Sequence, residues 1–330
     1  MGIFDLHVDS IIQQRLFRYD LRRKHRRGIR GQPFFWHADI PRMIEADYEA
    51  ACLGIHYYPW ESKGGLQEMS TQLDYLDRIA GEDSRLLRVR EVSDWTRARE
   101  TGKLAIAPGV EGAHMLNGRI EAVKILKERR VAYLTLAHFS ANSAATPSVG
   151  RGANERDGLT AFGRRLVEEL NRTGVAVDLA HVNTPGTLQA AKLSSAPVFC
   201  THTGVKGVYD HPRNISDAEI DGIAETGGVI GVIFAPIYLA GKLFADSEVA
   251  LDHLDYIVER VGVDHVALGS DYDGWLPTIL SDHRDCRDIF RILEGLKARG
   301  YTEEEIEKIT ALNAFRVLQC VAEKGQELSS

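Results

Sequence analysis

Eight short apolar runs, each separated from the next by a longer amphipathic or irregular segment, constrain this chain more than any other feature. They occupy residues 3–7, 50–58, 103–110, 131–138, 174–181, 197–202, 228–234 and 264–271. Most are near-continuous in Val, Ile, Leu and Ala, which suits parallel strands covered on both faces. The intervening segments carry helix signals. In 159–172, Leu159, Phe162, Leu166, Val167 and Leu170 share one helical face, and Gly174 follows the last turn. Ser216-Asp217-Ala218-Glu219 and Thr302-Glu303-Glu304-Glu305 are capping boxes that predict helices over 217–226 and 303–318. No glycine-rich phosphate turn follows the first run, so eight β/α units favour an α/β fold of the TIM type, a (β/α)8 barrel, over an open sheet. Helices predicted at 66–80 and 93–100 and the long connection 10–38 are insertions on that plan. No repeat, linker or low-complexity tract divides the chain, so residues 1–330 are expected to form a single domain.

Barrels of this kind build their sites at the C-terminal ends of the strands, and the chemistry-bearing residues collect there. His7 and Asp9 end the first run, Glu111 the third, His138 the fourth, His181 the fifth, His202 the sixth and Asp271 the eighth. Side chains at i and i+2 of a strand share a face, so His7 and Asp9 project toward one point and offer nitrogen and oxygen to one cation. Taken alone, His-x-Asp reads equally well as a packed histidine beside a turn-forming aspartate, and a lone strand-end histidine is usually structural. Four histidines and three carboxylates at one end of the predicted barrel point instead to a metal site. His25, His37, His253, His265 and His283 fall in loops or helical segments and His56 within the second run, and none of these is given a role. His114 and His211 read as hydrogen-bonding loop residues near the site, and Cys200 as a packed thiol inside the barrel.

Composition narrows the class. With 44% hydrophobic and 26% charged residues the chain is globular, and a net charge of −7 gives no reason to expect nucleic acid. Arg15 to Arg30 is locally basic, carrying Arg15, Arg18, Arg22, Arg23, Lys24, Arg26, Arg27 and Arg30 against Asp20, and reads as a solvated face or, beside the first strand end, a lid for anionic substrates. Cys52, Cys200, Cys286 and Cys320 are widely spaced, against a disulfide framework or a thiolate metal site. No run is long enough to span a membrane and no signal segment precedes the first strand, so a cytoplasmic protein without membrane partners is expected.

The motifs resemble those of the membrane (renal) dipeptidase family of metallopeptidases, within the amidohydrolase superfamily. The resemblance rests on Asp5-Leu6-His7-Val8-Asp9, Gly109-Val110-Glu111-Gly112, Leu134-Thr135-Leu136-Ala137-His138, Val177-Asp178-Leu179-Ala180-His181, Pro197 to His202, Asp210-His211-Pro212-Arg213-Asn214, Gly227 to Val232 and Gly269-Ser270-Asp271-Tyr272-Asp273-Gly274, in that order from residue 5 to the helix after Thr302. It implies a (β/α)8 barrel with two zinc ions: His7 and Asp9 on one, His181 and His202 on the other, and Glu111 bridging. Other amidohydrolases bridge with a carboxylated lysine on the fourth strand; Val131 to His138 contains no lysine. The resemblance further implies that a bridging hydroxide attacks the peptide bond of a dipeptide. Asp271 would handle the proton, His138 would bind the substrate carbonyl and stabilise the oxyanion, and Arg213 would bind the substrate carboxylate; on Pro-Arg-Asn alone Arg213 reads as a surface ion pair. Asp271 and Asp273 have equal strand parity, and only the family motif selects the first.

Relatives imply a homodimer and acceptance of a D-residue at the C-terminal position. The chain departs from the family at Ser10, at Ile233, across Asn142 to Asp157, and at Ala311-Leu312-Asn313, which puts the side-chain pockets in doubt and touches no implied ligand. Two other readings compete: an amidohydrolase acting on a non-peptide amide, ester or lactone, and a catalytically silent binding protein on the same barrel.

Overall fold

The structure, a computed structural model, describes residues 2–25 and 28–329. Nine strands are formed among them: β1 (Ile3–Val8), β2 (Tyr48–Ile55), β3 (Leu86–Arg88), β4 (Leu104–Val110), β5 (Tyr133–Thr135), β6 (Ala176–Asp178), β7 (Phe199–Thr203), β8 (Val229–Val232) and β9 (Val266–Leu268). All pairings are parallel, and the ladder β2-β1-β9-β8-β7-β6-β5-β4 closes on itself where β2 runs beside β4 from Ala50↔Ala105 to Ile55↔Val110. This is an eight-stranded closed barrel surrounded by helices, the (β/α)8 architecture expected from the eight runs. The ninth strand, β3, pairs only with the first half of β4, and β5 takes the same edge from Gly109 onward. With three residues, β3 carries too little sequence to be recognised as a run. Because it intervenes, the third predicted run is β4.

Two layers of core follow from the pleat. Phe4, Leu6, Cys52, Ala105, Tyr133 and Phe199 fill the barrel interior, and Ile3, Val8, Leu53, Ile106, Leu134 and Ile230 face the helices. Small residues on β2 and β4 leave space inside for the rings of Phe4, Tyr133 and Phe199. The N-terminal mouth is closed by aromatic packing: Phe4 lies 5.0 Å from Trp95, on the helix Val92–Thr101, and 4.9 Å from Phe315, on the C-terminal helix Asn313–Ser329. That helix continues the predicted one after a π-helical turn at Lys308–Leu312, and Asn313 donates to the carbonyls of Val263 and Val266, both at 2.8 Å, at the start of β9. Both predicted capping boxes are present, at Ser216/Glu219 and Thr302/Glu305. No helix among the described residues is long and apolar enough to cross a membrane.

Both ends of the connection 10–38 are tied to one buried carboxylate. Asp273 accepts hydrogen bonds from Ser10 Oγ at 2.5 Å, Gln13 Nε2 at 2.7 Å and the His37 backbone at 2.8 Å. His37, His253 and His283 are buried and hydrogen-bonded, as expected of structural histidines. Since Phe4 is fully buried between two rings, Phe4→Ala is expected to cost about 3–5 kcal/mol in denaturant unfolding. A loss below about 1 kcal/mol would show that the floor of the barrel can collapse around the deletion.

Candidate metal centre

A defect in β1 aims its polar residues. Asp5 pairs with Ala51 but Val8 pairs with Leu53, so one strand spends an extra residue where the other does not. Such a bulge reverses which side chains face inward. Phe4 and Leu6 point into the barrel and Val8 points out to the helices, and His7 and Asp9 therefore turn into the C-terminal mouth. Asp5, fully buried, holds the bulge: its Oδ1 accepts from the backbone N–H of His7 at 3.2 Å and of Ser270 at 2.9 Å. Two glycines make the room. A Cβ on Gly54 would lie 1.8 Å from Asp9 Oδ1, and one on Gly109 would lie 2.0 Å from the Tyr133 ring.

Around Glu111, which follows the last residue of β4, four imidazoles converge. Its Oε1 lies 3.7 Å from His7 Nε2, 3.1 Å from His181 Nε2 and 3.4 Å from His202 Nε2, and its Oε2 lies 3.5 Å from His138 Nε2. His181 Nε2 and His202 Nε2 are 2.9 Å apart. In a tetrahedral zinc site with Zn–N near 2.0–2.1 Å, neighbouring donor atoms are roughly 3.3–3.4 Å apart, so these separations bracket those of a shared cation. Among the described residues, four groups have donor atoms close enough for one ion: His7–Glu111–His202, Glu111–His138–His181, His7–Asp9–Asp271 and Asp9–His56–Glu111. His7 Nε2 and Asp9 Oδ1 are buried and face each other at 3.2 Å, and neither meets a hydrogen-bond partner elsewhere. A cation would satisfy both.

Further hydrogen bonds orient these rings from behind. His7 Nδ1 contacts Tyr133 OH at 2.7 Å, and Tyr133 OH also donates to the Leu6 carbonyl at 3.0 Å. His202 Nδ1 contacts Thr201 Oγ1 at 3.0 Å, and that hydroxyl donates to Asp178 Oδ2 at 2.9 Å. With Nδ1 engaged, each Nε2 is presented to the centre. His181 and Asp271 both have left-handed backbones, φ 66° and 58°, which cost non-glycine residues on the order of 1–3 kcal/mol. They are held there by Ser148 N–H donating to the His181 carbonyl at 2.7 Å and by Asp271 N–H donating to the His7 carbonyl at 3.0 Å.

The charge balance favours cations. Burial raises the pKa of Glu111 and of Asp271, and the nearby Asp9 raises both further. Burial works against a charged His7, but Asp9 and Glu111 override it and hold that imidazole up at about 10. Burial lowers both His181 and His202, reinforced by Arg213 at the first and by His7 and then Arg213 at the second, leaving neutral rings suited to ligation. In the absence of an ion, such a site reduces its negative charge only by taking up protons.

The chain matches the family model for membrane dipeptidase, peptidase family M19, over residues 1–330. It is 33% identical over 295 residues to the dipeptidase tcpJ of Claviceps purpurea, spanning 86% of this chain and 69% of that one, and 28% identical over 342 residues to the dipeptidase verJ of Clonostachys rogersoniana, spanning 99% and 82%. The chain belongs to the membrane dipeptidase family. Solved structures agree on the fold. A family M19 metallopeptidase, the dipeptidase AC, superposes with TM-score 0.87 at 24% identity over 97% of this chain and 98% of its own. A Rhodobacter sphaeroides metallopeptidase bound to a phosphinate mimic of the dipeptide L-Ala-D-Ala superposes with TM-score 0.83 at 24% identity over 97% and 99%.

In this family member the residues singled out in the sequence come together. Asp9, Glu111, His138, His181, Arg213 and Asp271 line one cleft of about 350 Å³, with Tyr57, Phe139, Tyr238 and Trp275 among its apolar walls; His7 and His202 lie against the same Glu111. His138, His181 and Asp271 stand three residues beyond their strands rather than at their ends, because β5, β6 and β9 are shorter than the runs that contain them. Asp271 lines the cleft whereas Asp273 is the staple of the 10–38 connection, which separates two positions of equal parity. Arg213 is buried, not a surface ion pair, with Nη2 donating to the His202 carbonyl at 2.8 Å. Cys200 faces the helix layer and not the barrel interior.

Of the basic segment, Arg15 lines the cleft while Arg22 and Lys24 pair with Asp20, Glu82 and Glu45; Arg26 and Arg27 lie outside the described residues. Sequence reasoning missed His56, which stands just past β2 and not inside it, and the supports Asp5, Tyr133, Asp178 and Thr201. His56 shares parity with Gly54, the position opposite Asp9, and that was the signal available. His114 is buried with both ring nitrogens lacking partners.

Tyr133→Phe and Thr201→Val each remove one oxygen behind an imidazole and leave the cleft walls unchanged. Each is expected to weaken metal retention about 10–100-fold in chelator competition. Wild-type retention in both would remove these hydroxyls from the metal site.

Proposed function

We propose that this dipeptidase of the M19 metallopeptidase family hydrolyses its substrate with two zinc ions, His7 and Asp9 holding one, His181 and His202 the other, and Glu111 shared between them. The observation that carries the substrate assignment is Arg213. Its guanidinium is 2% exposed and lines the cleft, Nε has no hydrogen-bond partner, and no carboxylate forms an ion pair with it among the described residues. A buried cation with no carboxylate in direct contact is costly; the free α-carboxylate of a dipeptide would supply that contact, with the two-toothed geometry a guanidinium favours.

Bound at Glu111, the ions would supply Lewis acidity and bring the pKa of a water toward neutrality. The chain's own groups do the rest. Arg213 anchors the carboxylate end, and the aromatic walls of the cleft exclude water from the peptide bond. His138, kept neutral first by burial and then by the neighbouring His56 and His114, retains one N–H to donate to the carbonyl oxygen as negative charge develops there. Asp271, whose acidity bound cations would restore, accepts the proton of the attacking water and passes it to the leaving amine. We further propose that the C-terminal residue can have the D configuration, in line with the dipeptide mimic bound by the Rhodobacter sphaeroides relative.

Assaying the zinc-loaded protein on L,L and L,D dipeptides, each as free acid and as C-terminal amide, tests this reading. The free acids should be preferred by ~10²-fold or more in kcat/KM, and Arg213→Ala should abolish the preference. Equal cleavage of acids and amides would transfer the activity to a wider class of amides or lactones. Asp271→Asn preserves shape but cannot shuttle a proton, so kcat should fall ~10²–10⁴-fold with metal content retained. Loss of an ion in that variant would make Asp271 a ligand instead.

A further inference from the structure

We infer that His56 is a further protein ligand of the ion held by His7, Asp9 and Glu111, so that one of the two metal positions carries two imidazoles and two carboxylates. The inference rests on the two-metal reading above. His56 is held in place by its backbone. The Ile55 carbonyl before it accepts from Glu111 N–H at 2.9 Å, which joins the ends of β2 and β4, and the His56 carbonyl accepts from Gln72 Nε2 at 2.8 Å and Arg15 Nη1 at 3.4 Å. The ring is 7% exposed and lines the cleft with Asp9 and Glu111. A donor atom of each of the three lies within 4.8 Å of the others, the same criterion met by the groups around His7 and His202.

One orphaned atom supports the assignment independently of that spacing. His56 Nδ1 is buried without a hydrogen-bond partner, and the buried Asp9 Oδ1 beside it meets only His7 Nε2, at 3.2 Å. Arg15 does not serve His56: it pairs with Glu68 at 3.5 Å and lies over the Tyr57 ring at 4.8 Å. One divalent ion would satisfy the imidazole and the carboxylate together.

The consequence is asymmetry between the two positions. His7, Asp9, Glu111 and His56 supply four protein donors, which closes a tetrahedral zinc site, whereas His181, His202 and Glu111 supply three and leave a position open. The closed position should hold its ion more tightly, and the open one should be where the attacking water meets metal.

Cadmium-113 loaded into the full chain, followed by proton–cadmium correlation NMR, tests the assignment without a variant. The expected result is two cadmium resonances, one coupled to ring protons of both His7 and His56 and the other to those of His181 and His202. Coupling of the first to His7 alone would overturn the inference and leave the two-metal reading standing; a single resonance or none would overturn the two-metal reading itself. In zinc competition against a chelator, His56→Ala should weaken one ion by ~10-fold or more, since loss of a hydrogen bond behind a ligand already does so, and leave the other unchanged. Unchanged affinity for both ions, with KM raised, would make His56 a substrate contact and contradict the inference.

Discussion

Three carboxyl groups, Asp9, Glu111 and Asp271, are buried side by side at the mouth of the barrel, and the rest of the site is arranged around the charge they create. Water cannot screen them there, and each raises the cost of ionising its neighbour. Protons can relieve that cost, and divalent cations relieve it more completely when neutral imidazoles complete their coordination. His181 and His202, neutral and 2.9 Å apart at Nε2, together with His7 and its backing hydroxyl, provide that environment.

The barrel contributes by placing these groups against local preferences. A bulge in β1 turns His7 and Asp9 inward at the expense of regular pairing. His181 and Asp271 keep left-handed backbones that only their hydrogen-bonded surroundings hold in place. Gly54 and Gly109 give up side chains so that Asp9 and Tyr133 can pack against β2 and β4. Below this layer the interior is ordinary hydrocarbon, closed by Phe4, Trp95 and Phe315. Left-handed backbone at His181 and Asp271 thus serves the mouth, and stability comes from the floor and the outer helices.

Much of this was legible in the sequence, for identifiable reasons. Burial on both faces makes parallel strands read as continuous apolar runs, so eight units and their barrel could be counted. His7, Glu111, His138, His181, His202 and Asp271 stood out because imidazoles and carboxylates interrupt or end those runs. What stayed hidden has equally local causes. Strand β3 is three residues long. The apolar pattern of β5, β6 and β9 extends past their ladders, because the residues that leave the sheet are still buried in the mouth. Tyr133, Asp178 and Thr201 look like ordinary strand residues until the partner strand is known, and His56 was absorbed into a run that Tyr57 and Tyr58 seemed to prolong. Parity could not separate Asp271 from Asp273; the loop that Asp273 ties to Ser10 and Gln13 does.

On the proposed reading, Glu111 is shared by two cations. A crystal of the zinc-loaded protein, with anomalous scattering recorded at the zinc edge, addresses it directly. Two peaks are expected, on opposite sides of the Glu111 carboxylate and about 3.5–4 Å apart, one against His7 and Asp9 and the other against His181 and His202. A single peak in fully active protein, or two peaks of which only one touches Glu111, would contradict it.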